Sequence, residues 1–337
     1  MRAVPGQVMV VTEVVGVRAG GPGAQDDAAY DVVVVGGGPA GLSAALVLAR
    51  ALRSVVVVDA GEPRNAPAHG AHGFLGHDGI APLDLLASGR REVRACGGEV
   101  VAGRAVTAGP ASDGLAVHLD DGRVLRGRRL LVTTGLADEL PDVRGLRERW
   151  GRDVVHCPYC HGFELRGRRL AVLATDPSGA REALLLGQWS PDVVLLRHTG
   201  PEPEESLAEQ LEARGVEVRD GVATELVVQD DRLVGVRLDA GAVVPCDALV
   251  VAPRLVLRDG LLASLGILPG PDGVVGVDAD GRTEVPGVHA AGNVVDPTVQ
   301  VVGAAAGGSA AGIALNADLV QEDVGRAVEG RRAAARR

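Results

Sequence analysis

The chain has 337 residues, a length that sets an expectation of about two domains, and with 46% hydrophobic and 23% charged residues it can bury a large core, which excludes wholesale disorder. Acidic residues outnumber basic ones, 44 against 34, which disfavours nucleic acid and anionic membrane surfaces as partners, and 2% aromatics leave no stacking platform for single strands. No stretch approaches ~18 uninterrupted apolar residues, so no membrane span is expected.

Residues 1–29 are rich in Gly, Val and Ala, carry Glu13 and Arg18 within the apolar part, and lack the form of a signal peptide; they read as an N-terminal extension of a cytoplasmic protein. Asp31 to Val35 (DVVVV) reads as a buried strand. The turn Gly36-Gly37-Gly38-Pro39-Ala40-Gly41 follows, then an apolar run from Leu42 to Leu52 that reads as a buried helix, then a second strand from Ser54 to Asp59. This is a complete βαβ unit. Gly36 permits the tight turn, Gly38 lets the backbone approach a pyrophosphate, and Gly41 lets the helix pack close to the strand. Pro39 and Ala40 belong to this turn, and the N-terminus of the helix that follows faces the phosphates with unpaired N–H groups. Asp59 ends the second strand, where a carboxylate can hydrogen-bond an adenosine ribose. A glycine-rich turn alone is a weak signal, but strand, helix, second strand and terminal acid together point to dinucleotide binding.

Arg129 to Gly135 (RLLVTTG) reads as a strand ending in Thr134-Gly135. A second α/β unit follows: a strand at 169–174, a helix at 179–188, a strand at 192–196 and an amphipathic helix at 204–214. Val222 to Leu238 alternates like a hairpin, with Asp230-Asp231 near its turn. Gly287 to Asp296 holds a strand running into Ala291-Gly292-Asn293, and a helix-like run of small residues spans Val301 to Val320. The pattern predicts an α/β fold of two Rossmann-like domains, the second inserted in the first. The first is discontinuous, over 30–142 and 254–325; the central domain covers 143–253, and 326–337 form a tail.

Four cysteines, Cys96, Cys157, Cys160 and Cys246, are too sparse for a disulfide scaffold. Two of them stand in His156-Cys157-Pro158-Tyr159-Cys160-His161-Gly162. Thiols at this spacing can close a small disulfide ring. Exchange proceeds by thiolate attack, so a proton acceptor matters, and two flanking histidines offer one near neutral pH. C-x-x-C-H is also the string of c-type haem attachment, which normally requires export, and a zinc site would need two more ligands than this motif provides. An inert buried pair would leave both histidines without a purpose. Cys96 and Cys246 read as thiols without a role, and no metal site is expected.

With these motifs in place, the chain resembles the low-molecular-weight thioredoxin reductase family of flavoproteins over about residues 30 to 325. The shared features are GGGPAG, the Thr-Gly strand end, a C-x-x-C in the central domain, and Ala291-Gly292-Asn293 where the family usually has Ala-Gly-Asp. The resemblance implies FAD in the first domain and a homodimer. It places Gly36, Gly38 and Gly41 at the pyrophosphate turn, Asp59 at the ribose, Thr134 and Gly135 at the strand-end contact, and Gly292 and Asn293 at the flavin ribityl chain. Gln300 and Val301 fall at the Gln-Ala pair beside the isoalloxazine. The segment from Arg64-Asn65 to Gly76-His77-Asp78-Gly79 stands where the family has a Pro-Gly-Gly-Gln loop and departs from it; Arg64 and Asn65 are the candidate contacts there. In the family an Asp follows the second Cys as the acid–base group, and here it is His161. The resemblance makes Cys160 the flavin-facing thiol and Cys157 the one that exchanges with substrate.

The family's second G-x-G-x-x-A, for NADPH, aligns with Ala174-Thr175-Asp176-Pro177-Ser178-Gly179-Ala180. Ala174 replaces the first Gly. Asp176 replaces the second, with a carboxylate near where a pyrophosphate would lie, and Pro177 removes an N–H donor. Where the family holds a 2′-phosphate with a basic cluster, this chain has Arg197-His198-Thr199-Gly200 followed by Glu202, Glu204 and Glu205. The expectation is that NADPH binding is lost, so that electrons enter from thiols and leave to O2. That pattern is similar to the dithiol oxidases of the gliotoxin and holomycin type, which form a disulfide in a small molecule. The alternatives are an NADPH-dependent thioredoxin-disulfide reductase, a ferredoxin-fed variant, and a non-catalytic flavin redox sensor. A small dithiol and a thioredoxin-like protein are both open as substrate.

Overall fold

Valine runs set the first layer. In the computed structural model, which describes residues 29–257, 260–271 and 273–337, the valines of β1 (Ala29–Val35) and β2 (Val55–Asp59) are buried throughout, as parallel strands covered on both faces must be. The expected N-terminal extension lies, apart from its last residue, outside the described residues. α1 (Pro39–Arg50) crosses between the two strands, with proline, preset for helical φ, at its first position. It starts three residues before the expected Leu42 and stops short of Leu52, which is exposed and left-handed at φ 62°. α2 (Pro82–Ala95) and β3 (Glu99–Ala102) follow, then the hairpin β4 (Ala105–Ala111) and β5 (Gly114–Leu119), then β6 (Val124–Val132). These strands lie in the order β3-β2-β1-β6-β5-β4.

β7 (Leu136–Glu139) leads out of this lobe into a second one. There α3 (Leu146–Arg149), β8 (Val154–Val155), α4 (Pro158–Leu165), β9 (Leu170–Leu173), α5 (Ser178–Leu186), β10 (Val193–Leu196), α6 (Glu205–Ala213) and β11 (Glu217–Arg219) alternate. Next come β12 (Ala223–Gln229), β13 (Arg232–Leu238), β14 (Val243–Pro245) and β15 (Ala248–Val251). A parallel sheet ordered β11-β10-β9-β15-β8 carries the lobe, and β12-β13-β14 form a separate antiparallel sheet. Asp230 and Asp231 turn the β12–β13 hairpin with φ 49° and 56°, the left-handed pair that a two-residue hairpin loop demands.

β16 (Arg254–Leu257) returns antiparallel to β7, pairing Arg254 with Glu139 and Leu257 with Leu136. α7 (Gly260–Ser264) and β17 (Val288–Ala290) follow, and β17 joins the first sheet beside β6. The first lobe is thus built from segments on both sides of the second. α8 (Val301–Ala334) then packs along α1. Its small residues allow the close crossing: a Cβ on Gly308 would stand 2.0 Å from the Ala40 carbonyl oxygen, and one on Gly312 2.9 Å from that of Ala44. The helix continues past residue 326, where a tail was expected. Glu322 and Asp323 bind Arg53, Arg128 and Arg129, and Arg326 pairs back to Glu322 at 2.6 Å, so the turn at 322–326 is tied down by charge rather than by apolar periodicity.

Candidate functional site

The carboxyl ends of β1 and β6 open onto a cleft of about 390 Å³ shared by the two lobes. Gly36, Gly38, Pro39, Ala40, Asp59, Arg64, Asn65, Thr134, Gly135, Gly292, Asn293, Gln300 and Val301 line it, together with His156, Cys157, Cys160 and His161. Of the residues expected at the cofactor or the sulfur pair, Gly41 alone stands outside this lining. A Cβ there would lie 1.9 Å from the Gly36 carbonyl oxygen and 2.6 Å from Thr133 Oγ1, so it serves helix–strand packing, as its spacing predicts.

At one end of the cleft the backbone is prepared for an anion. Gly36 turns at φ 115°, and the Thr133 hydroxyl holds the turn by donating to the carbonyls of Val35 and Gly36, each at 3.0 Å. The N-terminus of α1 has no side-chain cap, so its first N–H groups are free. Asp59 is already engaged: Arg90 donates to it from Nη2 at 2.7 Å and Nε at 3.0 Å, and Gly61 donates its N–H. Arg90 was not identified from sequence, because a pair between α2 and the end of β2 leaves no local pattern. Arg64 is likewise tied to Asp138 at 2.8 Å. Asn293 donates its Nδ2 to the carbonyls of Asp296 and Val299, both at 3.1 Å, and so binds the turn that leads into α8. A carboxylate has no such donors, which gives Asn a physical reason to stand in place of Asp.

These features fit a flavin dinucleotide. Two uncapped helix N-termini, those of α1 and α8, border one cleft. The Thr134 hydroxyl, buried and facing the cleft, has no protein partner.

At the other end stands the sulfur pair. Cys157 and Cys160 are joined as a disulfide with their Cα atoms 5.2 Å apart. Cys157 caps α4 and accepts the Cys160 N–H on its sulfur at 3.2 Å. Gln300 Nε2 reaches Cys160 Sγ at 3.7 Å, so the cofactor-facing helix touches the disulfide. Exposed Tyr159 and Phe163 flank it on α4, and Tyr159 packs edge-on against Trp189 with ring centroids 5.7 Å apart. His156 and His161 are both held below the ordinary imidazole value, chiefly by burial. Each leaves Nδ1 without a hydrogen-bond partner. Neutral imidazoles beside a disulfide are competent proton acceptors. Cys246, by contrast, is buried in the second lobe with its thiol pushed up to about 12, and Cys96 lies half-buried at the end of α2.

The turn between β9 and α5 is built differently from its counterpart in the first lobe. Asp176 Oδ1 accepts the Ser178 N–H at 2.7 Å and the Ser178 hydroxyl at 2.6 Å, so a side chain occupies the mouth of α5. Arg197 is paired with Asp220, and His198 Nδ1 accepts the Ala223 N–H at 3.1 Å. Glu182, one turn into α5, has its carboxyl raised to about 7 by burial and by the Asp176 charge.

A family model for pyridine nucleotide-disulphide oxidoreductases matches residues 30–309. A thioredoxin reductase of Claviceps purpurea, tcpT, is 34% identical over 282 residues, covering 78% of this chain and 86% of its own. The thioredoxin reductase sirT of Leptosphaeria maculans is 31% identical over 314 residues, covering 88% and 96%. Among solved structures, HlmI is 51% identical with a TM-score of 0.87, covering 93% of this chain and 99% of its own. The chain belongs to the pyridine nucleotide-disulphide oxidoreductase family, within its thioredoxin reductase-like flavoenzymes.

Proposed function

We propose that the protein is an FAD-dependent dithiol oxidase that closes a disulfide in a small molecule, with O2 as electron acceptor. The observation that carries this reading is the pairing of a Cys157–Cys160 disulfide in the flavin cleft with a β9–α5 turn whose helix mouth is filled by Asp176. The residues of that turn do not fit NADPH. A second carboxylate, Glu182, lies close behind, and the local arginine, Arg197, is already paired.

The chemistry follows from the side chains. A substrate thiolate attacks Cys157, and Cys160 leaves as a thiolate beside the Gln300 amide N–H. The second substrate thiolate then attacks the first substrate sulfur and releases Cys157, whose charge is met by the Cys160 N–H and the N-terminus of α4. His156 and His161 take up the two thiol protons. The cysteine pair re-forms its S–S bond as Cys160 passes two electrons on. FAD, when bound, supplies the acceptor for those electrons and the route to O2, so the sum is dithiol plus O2 giving disulfide plus hydrogen peroxide. Exposed Tyr159 and Phe163 beside the sulfur support an apolar substrate. Exposed Ile313, Val320, Val324 and Val328 along α8 support a homodimer. We place the protein in the cytoplasm; among the described residues no helix is long and apolar enough to cross a membrane.

The similarity to the thioredoxin reductases tcpT and sirT favours a second reading, an NADPH-dependent thioredoxin reductase. Anaerobic mixing of the flavin-loaded protein with NADPH and, separately, with dithiothreitol divides the two. The oxidase bleaches with dithiothreitol alone and forms peroxide when air is admitted, and Cys157→Ser abolishes both. Rapid bleaching by NADPH overturns the oxidase reading.

A further inference from the structure

The segment between β2 and α2 has no role in the chemistry above, yet it is built around one side chain. Backbone hydrogen bonds from Ala71 N–H to the Ile80 carbonyl (2.8 Å) and from Gly79 N–H to the Ala71 carbonyl (2.9 Å) close a loop over 71–80. The His72 imidazole lies between two glycines of that loop. A Cβ on Gly70 would be 3.2 Å from His72 Nε2, and one on Gly79 would be 3.6 Å from Cε1. Its Nδ1 faces Asp78 Oδ2 at 3.4 Å, and Asp78 is itself fixed by the Gly73 N–H at 2.8 Å. Its Nε2 faces Glu164 Oε1 at 3.8 Å, across the boundary between lobes, on the same helix that carries Cys160 and His161. His72 lines the cleft together with His161. The titratable groups around His161 are His72, Glu164 and His156, and those within ion-pair distance of His72 are Asp78 and Glu164. Going outward, His161 is mostly buried, the His72 side chain is 23% exposed, Glu164 is 45% exposed and Asp78 is 69% exposed. The charge-bearing groups therefore form a graded series from sulfur to solvent.

We propose that His72 relays protons between His161 and solvent, with Asp78 and Glu164 as its outlets. The proposal rests on the dithiol oxidase reading: each turnover breaks two S–H bonds and forms one S–S bond, two electrons pass through the cysteine pair, and the two protons must leave the sulfur site before they meet reduced dioxygen as peroxide. His161 has an unpartnered Nδ1 and no protein acceptor there. His72 is a positioning residue in this scheme, since it acts on the sulfur chemistry through His161.

The test uses the flavin-loaded protein and dithiothreitol under anaerobic conditions, with flavin bleaching followed across the neutral pH range. His72→Gln keeps polar atoms on both sides of the side chain but cannot carry a proton. It slows bleaching about ten-fold or more, and imidazole added to the buffer restores the rate. Glu164→Gln leaves the Asp78 outlet and slows bleaching about two-fold. A second readout is independent of turnover: the His72 side chain is one of the groups that lower the His161 value, so His72→Gln moves the His161 imidazole to titrate at higher pH by NMR. Bleaching of His72→Gln at the wild-type rate overturns the relay and leaves the oxidase reading standing. So does a slow variant that imidazole does not rescue, because a structural defect would behave that way. A His161 titration unmoved in His72→Gln also overturns the relay. A wild-type protein that dithiothreitol fails to bleach overturns the oxidase reading and the relay together.

Discussion

The two lobes share one construction, a buried parallel strand feeding a helix through a tight turn (β1 to α1 and β9 to α5), and use it to opposite ends. In the first lobe the turn is glycine, its helix mouth is uncapped and the backbone is held from outside by the Thr133 hydroxyl. In the second, Asp176 holds Ser178 within the turn itself, and Glu182 adds a second carboxylate. A βα turn can thus keep its packing while its chemistry is reversed. The third position is a glycine in both turns, and in both a Cβ there would stand within 3 Å of its neighbours, whereas the positions that would touch a phosphate differ.

The largest expected effect tests that shared packing. Gly41→Ala forces a Cβ to 1.9 Å from a backbone carbonyl oxygen, whereas a Cβ on Gly179 would meet the Ala174 Cβ at 2.6 Å and its Cα at 2.9 Å. Gly41→Ala is expected to cost about 3 kcal/mol or more and to yield protein with little flavin. Gly179→Ala should cost less, and Ala174→Gly, which removes the nearer of the two contacts, should relieve part of it. Thermal denaturation and flavin content check both. Equal losses from the two single substitutions would show that the two turns are packed equally tightly and would remove this contrast.

Much of this was legible in the sequence because it is local. The strand–turn–helix units, the Asp230-Asp231 hairpin and the C-x-x-C with its two histidines all lie within short windows of regular spacing. What escaped was long-range or charge-driven. Arg90 meets Asp59 from another element, His72 meets Glu164 from the other lobe, and α8 is held at Glu322 and Asp323 by Arg53, Arg128 and Arg129. The capping role of Asp176 also went unseen, because the repulsion of a phosphate and the bonding of Ser178 are two properties of one carboxylate.

The second prediction sharpens the contrast in charge. The Glu182 carboxyl is raised to about 7 by burial and Asp176, so the folded protein holds a proton that the unfolded chain releases. Its contribution to stability is present below the unfolded value, about 4.5, and is lost as pH rises through about 7. Glu182→Gln should therefore be more stable than wild type above neutrality, by up to about 3 kcal/mol, and the gain should vanish in acid. Denaturant titrations at acid and alkaline pH read this directly. A gain that does not depend on pH would mean that Glu182 is not held protonated by its surroundings.

The third effect is smallest in stability and most informative about function. Asp176→Gly removes the carboxylate and the bonds to Ser178, at a cost of about 1 kcal/mol, the usual value for a lost cap. Combined with Ala174→Gly it rebuilds in the second lobe the open turn of the first. If the carboxylate is what keeps a dinucleotide out, the double variant gains measurable NADPH binding by calorimetry, while Asp176→Asn, which keeps the hydrogen bonds and loses the charge, gains less. The paired Arg197 and the acids that follow it still oppose a 2′-phosphate, so NADH should gain at least as much as NADPH. Should neither nucleotide bind the double variant, the turn is not the barrier, and the reason must be sought at Arg197 instead.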